Sequence, residues 1–548
     1  AEGEWDGEPK KQQTVAIDST TQYRAIRLTA ITSSDGAASA SELEVTTNDT
    51  DVIAAYSELL DTIAAAKTLI LTSKLGTTSA SKIENSKQAL IDEIAKAENL
   101  ANDRVNGTTE QDVQAIDSLK QAIQAYNSAR LQQAIADAQA VLASAGAAGK
   151  AELQPAIDAA SHTAANADLA EVETVLSKLL MAQVNANPNA KWIAAWATAP
   201  QQPYGEPAKV GFKNQTLRMI VYPTASGSHV RLRFSNVYGN QPLTLNSVAV
   251  AHAQSGSDVV PGSHRVVTFN GQTSVTIAPG QEVYSDPIGM DVTDSEPLAV
   301  SVFVKETGPT TFHRSSLQTT YLAFGEDQTL NDGDRYTSSV DSWFWLTSVD
   351  VLTDDPDARV VAAIGDSITD GVGSAINTNR RYPDYLNRRI QEEYPDRTVS
   401  VLNLGISGNK LLRTADGQGS AALERFDRDV LSQTGVTDVI ILEGINDIGH
   451  EPHVYDANKI IEAYTTMINK AHAQGLRVYI GTLTPFRGFA DGYFTEDGEL
   501  TRQAVNEWIR TTNLIDGYID FDKALEDPNN LQRMLPAYDS GDHLHPGE

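Results

Sequence analysis

Five short apolar runs punctuate the last third of this chain: Val360 to Ile364, Val399 to Leu404, Asp438 to Leu442, Val478 to Leu483 and Tyr518 to Phe521. Each is too short for a helix, and the first is rich in β-branched and small residues and bounded by Asp/Pro and Gly signals, as befits a strand buried on both faces. Between the runs lie stretches of helical periodicity near Tyr382 to Glu393, Leu423 to Leu431, Asn458 to His472 and Arg502 to Thr511. Strands that alternate with helices admit few folds, because parallel neighbours need long, right-handed crossovers. The pattern predicts a doubly wound α/β sheet of flavodoxin-like order over residues 353–548. Its first strand ends in Gly365-Asp366-Ser367-Ile368-Thr369-Asp370-Gly371. Ser367 is thereby placed at the C-terminal edge of the sheet, where ligands bind in open α/β folds.

The 548 residues exceed what one core can organise, and the texture changes three times before the α/β region. Residues 1–48 alternate with period two, as in Ile26, Leu28, Leu43 and Val45, and are read as a partial β segment. Residues 49–188 turn rich in Ala, Gln, Lys and Asp. Val52, Tyr56, Leu59, Ile63 and Ile70 form one apolar stripe, and Ile83, Leu90, Ile94 and Ala97 another. Thr108 and Gln111 offer a capping box, and Leu59 to Ile63 is echoed by Leu131 to Ile135. Two three-helix-bundle repeats sharing a long helix between about 109 and 145 satisfy the pattern, and a spacer role follows. Residues 189–352 return to period two: Val230, Leu232 and Phe234 alternate with Arg231 and Arg233, and turn clusters separate the strands. This predicts a β-sandwich.

The net charge of −30 argues against nucleic acid and anionic membrane surfaces as partners. With no cysteine, disulfides, thiolate metal sites and thiol nucleophiles are excluded together. No apolar run approaches the ~18 residues of a membrane span, so no membrane insertion is expected. The chain begins at Ala1 without a basic and apolar leader and is read as trimmed, its export signal and anchor lying outside it.

A serine hydroxyl needs a base with a pKa near working pH, a group to orient that base, and donors for the developing oxyanion. Each is offered at the same sheet edge. The second strand runs into Gly405-Ile406-Ser407-Gly408-Asn409, a turn able to present backbone N–H groups. The third runs into Gly444-Ile445-Asn446-Asp447, which brings a side-chain amide. Near the end stands Asp542-His543-Leu544-His545-Pro546, where a single turn would bring Asp542 to His545. His543, with Asp539 four residues before it, competes as the base. Asp366 and Asp447 read as residues that bond backbone at their turns. His450 and His453 are candidates for a substrate edge or for surface loops, and Trp192, Trp196 and Trp343-Phe344-Trp345 for core or for sugar-stacking platforms.

These four blocks resemble the SGNH, or GDSL-type, hydrolases, matching at Gly365-Asp366-Ser367, Gly408, Gly444-Ile445-Asn446-Asp447 and Asp542-His543-Leu544-His545-Pro546. The resemblance implies carboxylic ester hydrolysis without metal or cofactor. Ser367 is then the nucleophile, His545 the base and Asp542 its orienting group, with Ser367, Gly408 and Asn446 as the oxyanion hole. Upstream, Trp192-Ile-Ala-Ala-Trp196-Ala-Thr-Ala-Pro200, Asn214-Gln-Thr-Leu-Arg218 and Val230-Arg-Leu-Arg-Phe-Ser-Asn236 resemble the β-domain of secreted bacterial multidomain members, implying that residues 190–548 act as one unit. Family members carry a helix after the last block, whereas this sequence ends at Glu548. Tyr23-Arg-Ala-Ile-Arg-Leu and Ala40-Ser-Glu-Leu-Glu-Val resemble the last strands of a discoidin-type sandwich, and the helical repeats resemble spacers of Gram-positive surface glycan-processing proteins. Together these imply a secreted or cell-surface esterase acting on an acylated glycan, chiefly on O-acetyl groups, or on a small ester. A lipid esterase or thioesterase, and a glycan-binding surface protein with an idle hydrolase fold, are the alternatives.

Overall fold

The computed structural model describes residues 50–73, 81–103, 108–166, 171–187 and 190–547, so the β segment expected over residues 1–48 lies outside them. Two units divide the described chain. The first contains the helix Thr50–Thr72 as far as Ile70, the helix Ser81–Asn102 and the residues of Thr109–Ser144 up to Arg130. Its buried stripe is Leu59, Ile63, Leu90, Ile94, Ile116, Leu119 and Tyr126. Thr108 and Gln111 cap the long helix reciprocally, each side-chain oxygen accepting from the other's backbone N–H.

The second unit begins with the rest of that helix and the helices Ala147–Asn166 and Val172–Ala186, packed through Leu131, Ala138, Leu153, Ile157, Ala160 and Leu179. Two antiparallel sheets follow. One orders the strands Lys191–Ala197, Leu346–Thr353, Gly227–Ser235 and Ile288–Val292. The other runs Ser338–Val340, Thr320–Phe324, Lys213–Val221, Leu298–Glu306, Ser247–Ser255 and Asp258–Val259. Register pairs Val300 with Met219 and Val302 with Leu217, so alternate residues of neighbouring strands enter one core. Trp196 and Trp343 meet edge to face at 4.9 Å, as do Phe212 and Phe344. With Trp345 only 1% exposed, these rings are core, and the stacking-platform alternative fails for all four of Trp196, Trp343, Phe344 and Trp345. Trp192 is half-buried and covered by the Arg231 guanidinium at 4.8 Å.

Arg231 and Arg233 sit on the polar side of the alternation, yet that side does not face water. Arg231 pairs with Asp350 at 2.9 Å and reaches Thr434, while Arg233 donates to Ser432. Both threonine and serine precede a strand of the α/β region. One apolar cluster runs unbroken from Ile193 through Phe426 and Tyr464 to Leu544, so sandwich and α/β sheet share a core.

The α/β sheet has five parallel strands in the order Val399–Gly405, Arg359–Gly365, Val436–Leu442, Arg477–Gly481 and Gly517–Ile519. In chain order this is 2-1-3-4-5, the doubly wound flavodoxin-like arrangement. The order in which strands are added reverses on either side of Arg359–Gly365, which opens a crevice at that strand's C-terminal end. The helix Ala457–Ala473 buries an apolar stripe of Ile460, Ala463, Tyr464, Met467 and Ile468, while Tyr382–Glu393 and Glu496–Thr511 bury mixed faces that include Asn387, Glu499, Arg502 and Asn506. The helical stretch read near Leu423 to Leu431 is an α-turn, Ala422–Phe426, continued by a π-turn, Asp427–Leu431. Among the described residues no helix is long and apolar enough to cross a membrane.

Candidate active site

Ser367 opens a single helical turn, Ser367–Asp370, directly after the first parallel strand. Asp366 caps that turn by accepting the Ile368 N–H at 2.9 Å. The turn lies hard against the second strand: a Cβ on Gly405 would come within 2.2 Å of the Asp370 nitrogen, so only glycine permits the approach.

The C-terminal block returns to the same point. Asp542 Oδ1 accepts the N–H groups of Leu544 and His545, both at 2.9 Å, which winds the chain into a tight turn. Its other oxygen, Oδ2, lies 2.5 Å from His545 Nδ1. Because a carboxylate only accepts, Nδ1 carries the hydrogen, and Nε2 is left to accept from the Ser367 hydroxyl 2.8 Å away. Burial raises the Asp542 carboxyl, but the hydrogen bonds from the His545 ring and backbone outweigh it and leave the group below its usual range. The Phe489 ring stands edge-on to the imidazole, with centroids 6.0 Å apart.

His543 is bound elsewhere. Its Nδ1 meets Asp539 Oδ2 at 2.6 Å, its side chain is 49% exposed, and it makes no contact with Ser367. The two Asp/His pairs are thus parallel features of one loop, and only His545 reaches the serine.

Gly408 and Asn446 are brought to the same edge. Gly408 adopts φ +76, a left-handed conformation that favours glycine. Among the described residues neither the Ser367 N–H nor the Gly408 N–H has an internal acceptor. Asn446 Nδ2 donates to the Asn409 carbonyl at 2.9 Å, and Asp447 accepts the N–H groups of Leu411 and Leu412 at 2.7 and 3.0 Å. The third block therefore clamps the loop that carries Gly408.

Beneath these loops lies a buried charge network that the sequence patterns did not reveal. Arg425 donates to the carbonyls of Leu404 and Gly365 and to Asn409 Oδ1, and faces Asp429 and Glu443. One guanidinium thus ties together the ends of the strands that present Ser367 and Gly408. Burial pushes the Asp366 carboxyl up to about 7, against the Ile368 N–H and with Asp447 and Asp370 adding. Burial, then the charge of Asp366, drives Glu443 well above the usual carboxylate range.

At the rim, the His450 ring meets Tyr493 edge-on at 5.0 Å, while His453 stacks on Tyr455, which is 41% exposed. Burial, then the charges of Lys410 and Arg413, holds His450 below its ordinary range. Tyr493, Phe489 and Arg425 carry no periodic or motif signal and were invisible in the sequence. Asp370, three residues after Ser367, stood within the first block without a role.

Residues 363–548 match the model of the GDSL-like lipase/acylhydrolase family. A search among curated proteins found no match. Among solved structures, the chain is similar to a GDSL-like lipase from Bacteroides thetaiotaomicron VPI-5482 at 19% identity and TM-score 0.26, covering 34% of this chain and 80% of that one. It is similar to the SGNH-hydrolase family esterase AlinE4 at 18% identity and TM-score 0.26, covering 34% of this chain and 86% of that one. It is also similar to an acetyl xylan esterase, Axe2, from Geobacillus stearothermophilus at 22% identity and TM-score 0.27, covering 34% of this chain and 87% of that one.

Proposed function

We propose, from the match of residues 363–548 to the GDSL-like lipase/acylhydrolase family model, that this protein is a serine esterase of the SGNH type, acting through Ser367, His545 and Asp542. The observation that carries the reading is the unbroken hydrogen-bonded chain from Asp542 through His545 to Ser367, at 2.5 and 2.8 Å.

His545 Nε2 takes the hydroxyl proton as Ser367 Oγ adds to the acyl carbonyl, and Asp542 stabilises the imidazolium that forms. The carbonyl π electrons move to oxygen, and the oxyanion is met by the N–H groups of Ser367 and Gly408 and by the Asn446 amide. When the tetrahedral adduct collapses, the ester C–O bond breaks and the imidazolium gives its proton to the departing alkoxide. Water then adds to the acyl-enzyme, losing its proton to His545, and the acid leaves with Ser367 restored.

The substrate we favour is an O-acetyl group on a glycan, processed outside the cell by a secreted or surface-attached protein. The helical repeats ahead of the catalytic portion support this. So does Tyr455, a 41% exposed ring a few residues past Asn446 with which a sugar could pack.

The test is acetate release from p-nitrophenyl acetate and from a panel of acetylated polysaccharides, comparing the protein with Ser367→Ala. Release that the substitution abolishes establishes the serine esterase. A preference for long acyl chains over acetyl would turn the reading to lipids, and no release from any ester by the folded protein would overturn it.

A further inference from the structure

The β-sandwich reaches into the catalytic loops through one buried histidine. His313 lies on the short strand Phe312–His313, is 3% exposed, and packs its ring against Trp343 at 5.7 Å. Its Nδ1 is 2.9 Å from the Ala199 carbonyl, which can only accept, so Nδ1 donates there. The other nitrogen, Nε2, faces Asp370 Oδ1 at 3.1 Å, also an acceptor, so the ring carries a hydrogen on both nitrogens and meets the carboxylate as an imidazolium donor. Asp370 ends the turn that begins at Ser367, and its second oxygen accepts both the backbone N–H and the hydroxyl of Ser407, at 2.7 and 2.5 Å. Ser407 immediately precedes Gly408.

A second set of contacts grips the same loop further along. Gln202 and Tyr238 both bond the Ser420 hydroxyl, at 2.9 and 2.8 Å, and Arg314 donates to the Gly417 carbonyl. Between the two grips the loop folds back on itself: Asn409 Nδ2 donates to the carbonyls of Gln418 and Ser420, and the Gln418 side chain lies over Gly408. The sandwich therefore holds the Gly408 loop from both sides.

We infer that His313 is a positioning residue for ester hydrolysis, acting through Asp370 to fix the Ser407-Gly408 peptide at the distance and angle the oxyanion requires. This rests on the serine esterase reading above. Being buried, the Asp370 carboxylate would otherwise lack its third hydrogen-bond partner and could turn away from Ser407. The Gly408 N–H, in a glycine turn with no side chain to brace it, would then move relative to Ser367. Displacements of this size cost rate without altering how the ground-state ester binds.

Steady-state kinetics on p-nitrophenyl acetate, with thermal melts, test this on three variants. His313→Phe keeps the ring against Trp343 but removes both hydrogen bonds; the expected result is a fall in kcat of about 10- to 100-fold with KM within about threefold. His313→Gln restores a donor near the position of Nε2 and should recover most of that loss. Ser407→Ala removes one hydroxyl at the other end of the relay and should lower kcat by about three- to tenfold, which keeps the inference falsifiable should the His313 variants misfold. Wild-type activity unaltered in folded His313→Phe overturns the inference and leaves the esterase standing. Equal losses in His313→Phe and His313→Gln that track their melting temperatures overturn it too, in favour of a packing role. An inactive wild type overturns this inference together with the esterase.

Discussion

Tyr493 donates its phenolic hydrogen to Asn446 Oδ1 at 2.9 Å, while the nitrogen of the same amide donates to the Asn409 carbonyl. Burial holds the phenol well above its usual range, so it remains a donor at any working pH. The amide is thus fixed at both ends, and among the described residues its second N–H hydrogen has no internal acceptor. An oxyanion donor works by being in place beforehand, because reorientation during the reaction would consume the stabilisation it offers.

Two substitutions separate the proposed donor from its support. Asn446→Ala is expected to lower kcat by about 10²–10³. Tyr493→Phe retains the amide and releases only its orientation, and should cost about tenfold, again in kcat and not KM. A Tyr493→Phe enzyme as slow as Asn446→Ala would mean that the phenol does more than orient, and one as fast as wild type would mean that the Asn409 carbonyl suffices.

The two histidines of the last block should behave oppositely. His545→Ala is expected to reduce turnover by at least ~10³, since the serine then lacks its base. His543 has φ +70 and is paired with Asp539, so His543→Asn, which tolerates that conformation, should leave kcat within about fivefold. The same assay on both variants decides it, and the reverse ranking would transfer the base role to His543.

The sheet was legible because its central strands, such as Val360 to Ile364, are largely buried and appear as short apolar runs between amphipathic helices. That Ser367, Gly408, Asn446, Asp542 and His545 meet at one sheet edge was legible because each follows a strand or sits in a short turn whose spacing survives without the fold. Arg425 was not, since a lone arginine in a helix normally reads as solvated; its value comes from reaching Leu404 and Gly365, which lie 21 and 60 residues away in sequence. The alternation around Arg231 and Arg233 gave the strand correctly but could not say that its polar side meets Thr434 and Ser432 instead of water. His313 and Tyr493 were hidden for the same reason: period two and strand-end spacing describe local structure, whereas these residues act across domains and loops.

The buried carboxylate beneath the nucleophile carries a further consequence for stability. Asp366 is 1% exposed and its carboxyl is pushed up to about 7 in the folded chain, against an ordinary value of 3.8. A folded-state pKa above the unfolded one means that the native protein holds the proton more tightly. Its contribution to stability is therefore greatest at low pH and is lost as pH rises from about 4 to about 7. Asp366→Asn keeps an oxygen to accept the Ile368 N–H but cannot ionise. The melting temperature of wild type minus that of Asp366→Asn should accordingly fall as pH rises across this window, by about 3 °C or more, and level off above it. Taking the difference cancels the groups that do not sense Asp366; Glu443, whose carboxyl the Asp366 charge helps to raise, titrates differently in the two proteins, so the window belongs to the Asp366–Glu443 pair. A difference that stays constant from pH 4 to 8 would show that Asp366 is ionised throughout, with Arg425 compensating for its burial more fully than the network's geometry suggests.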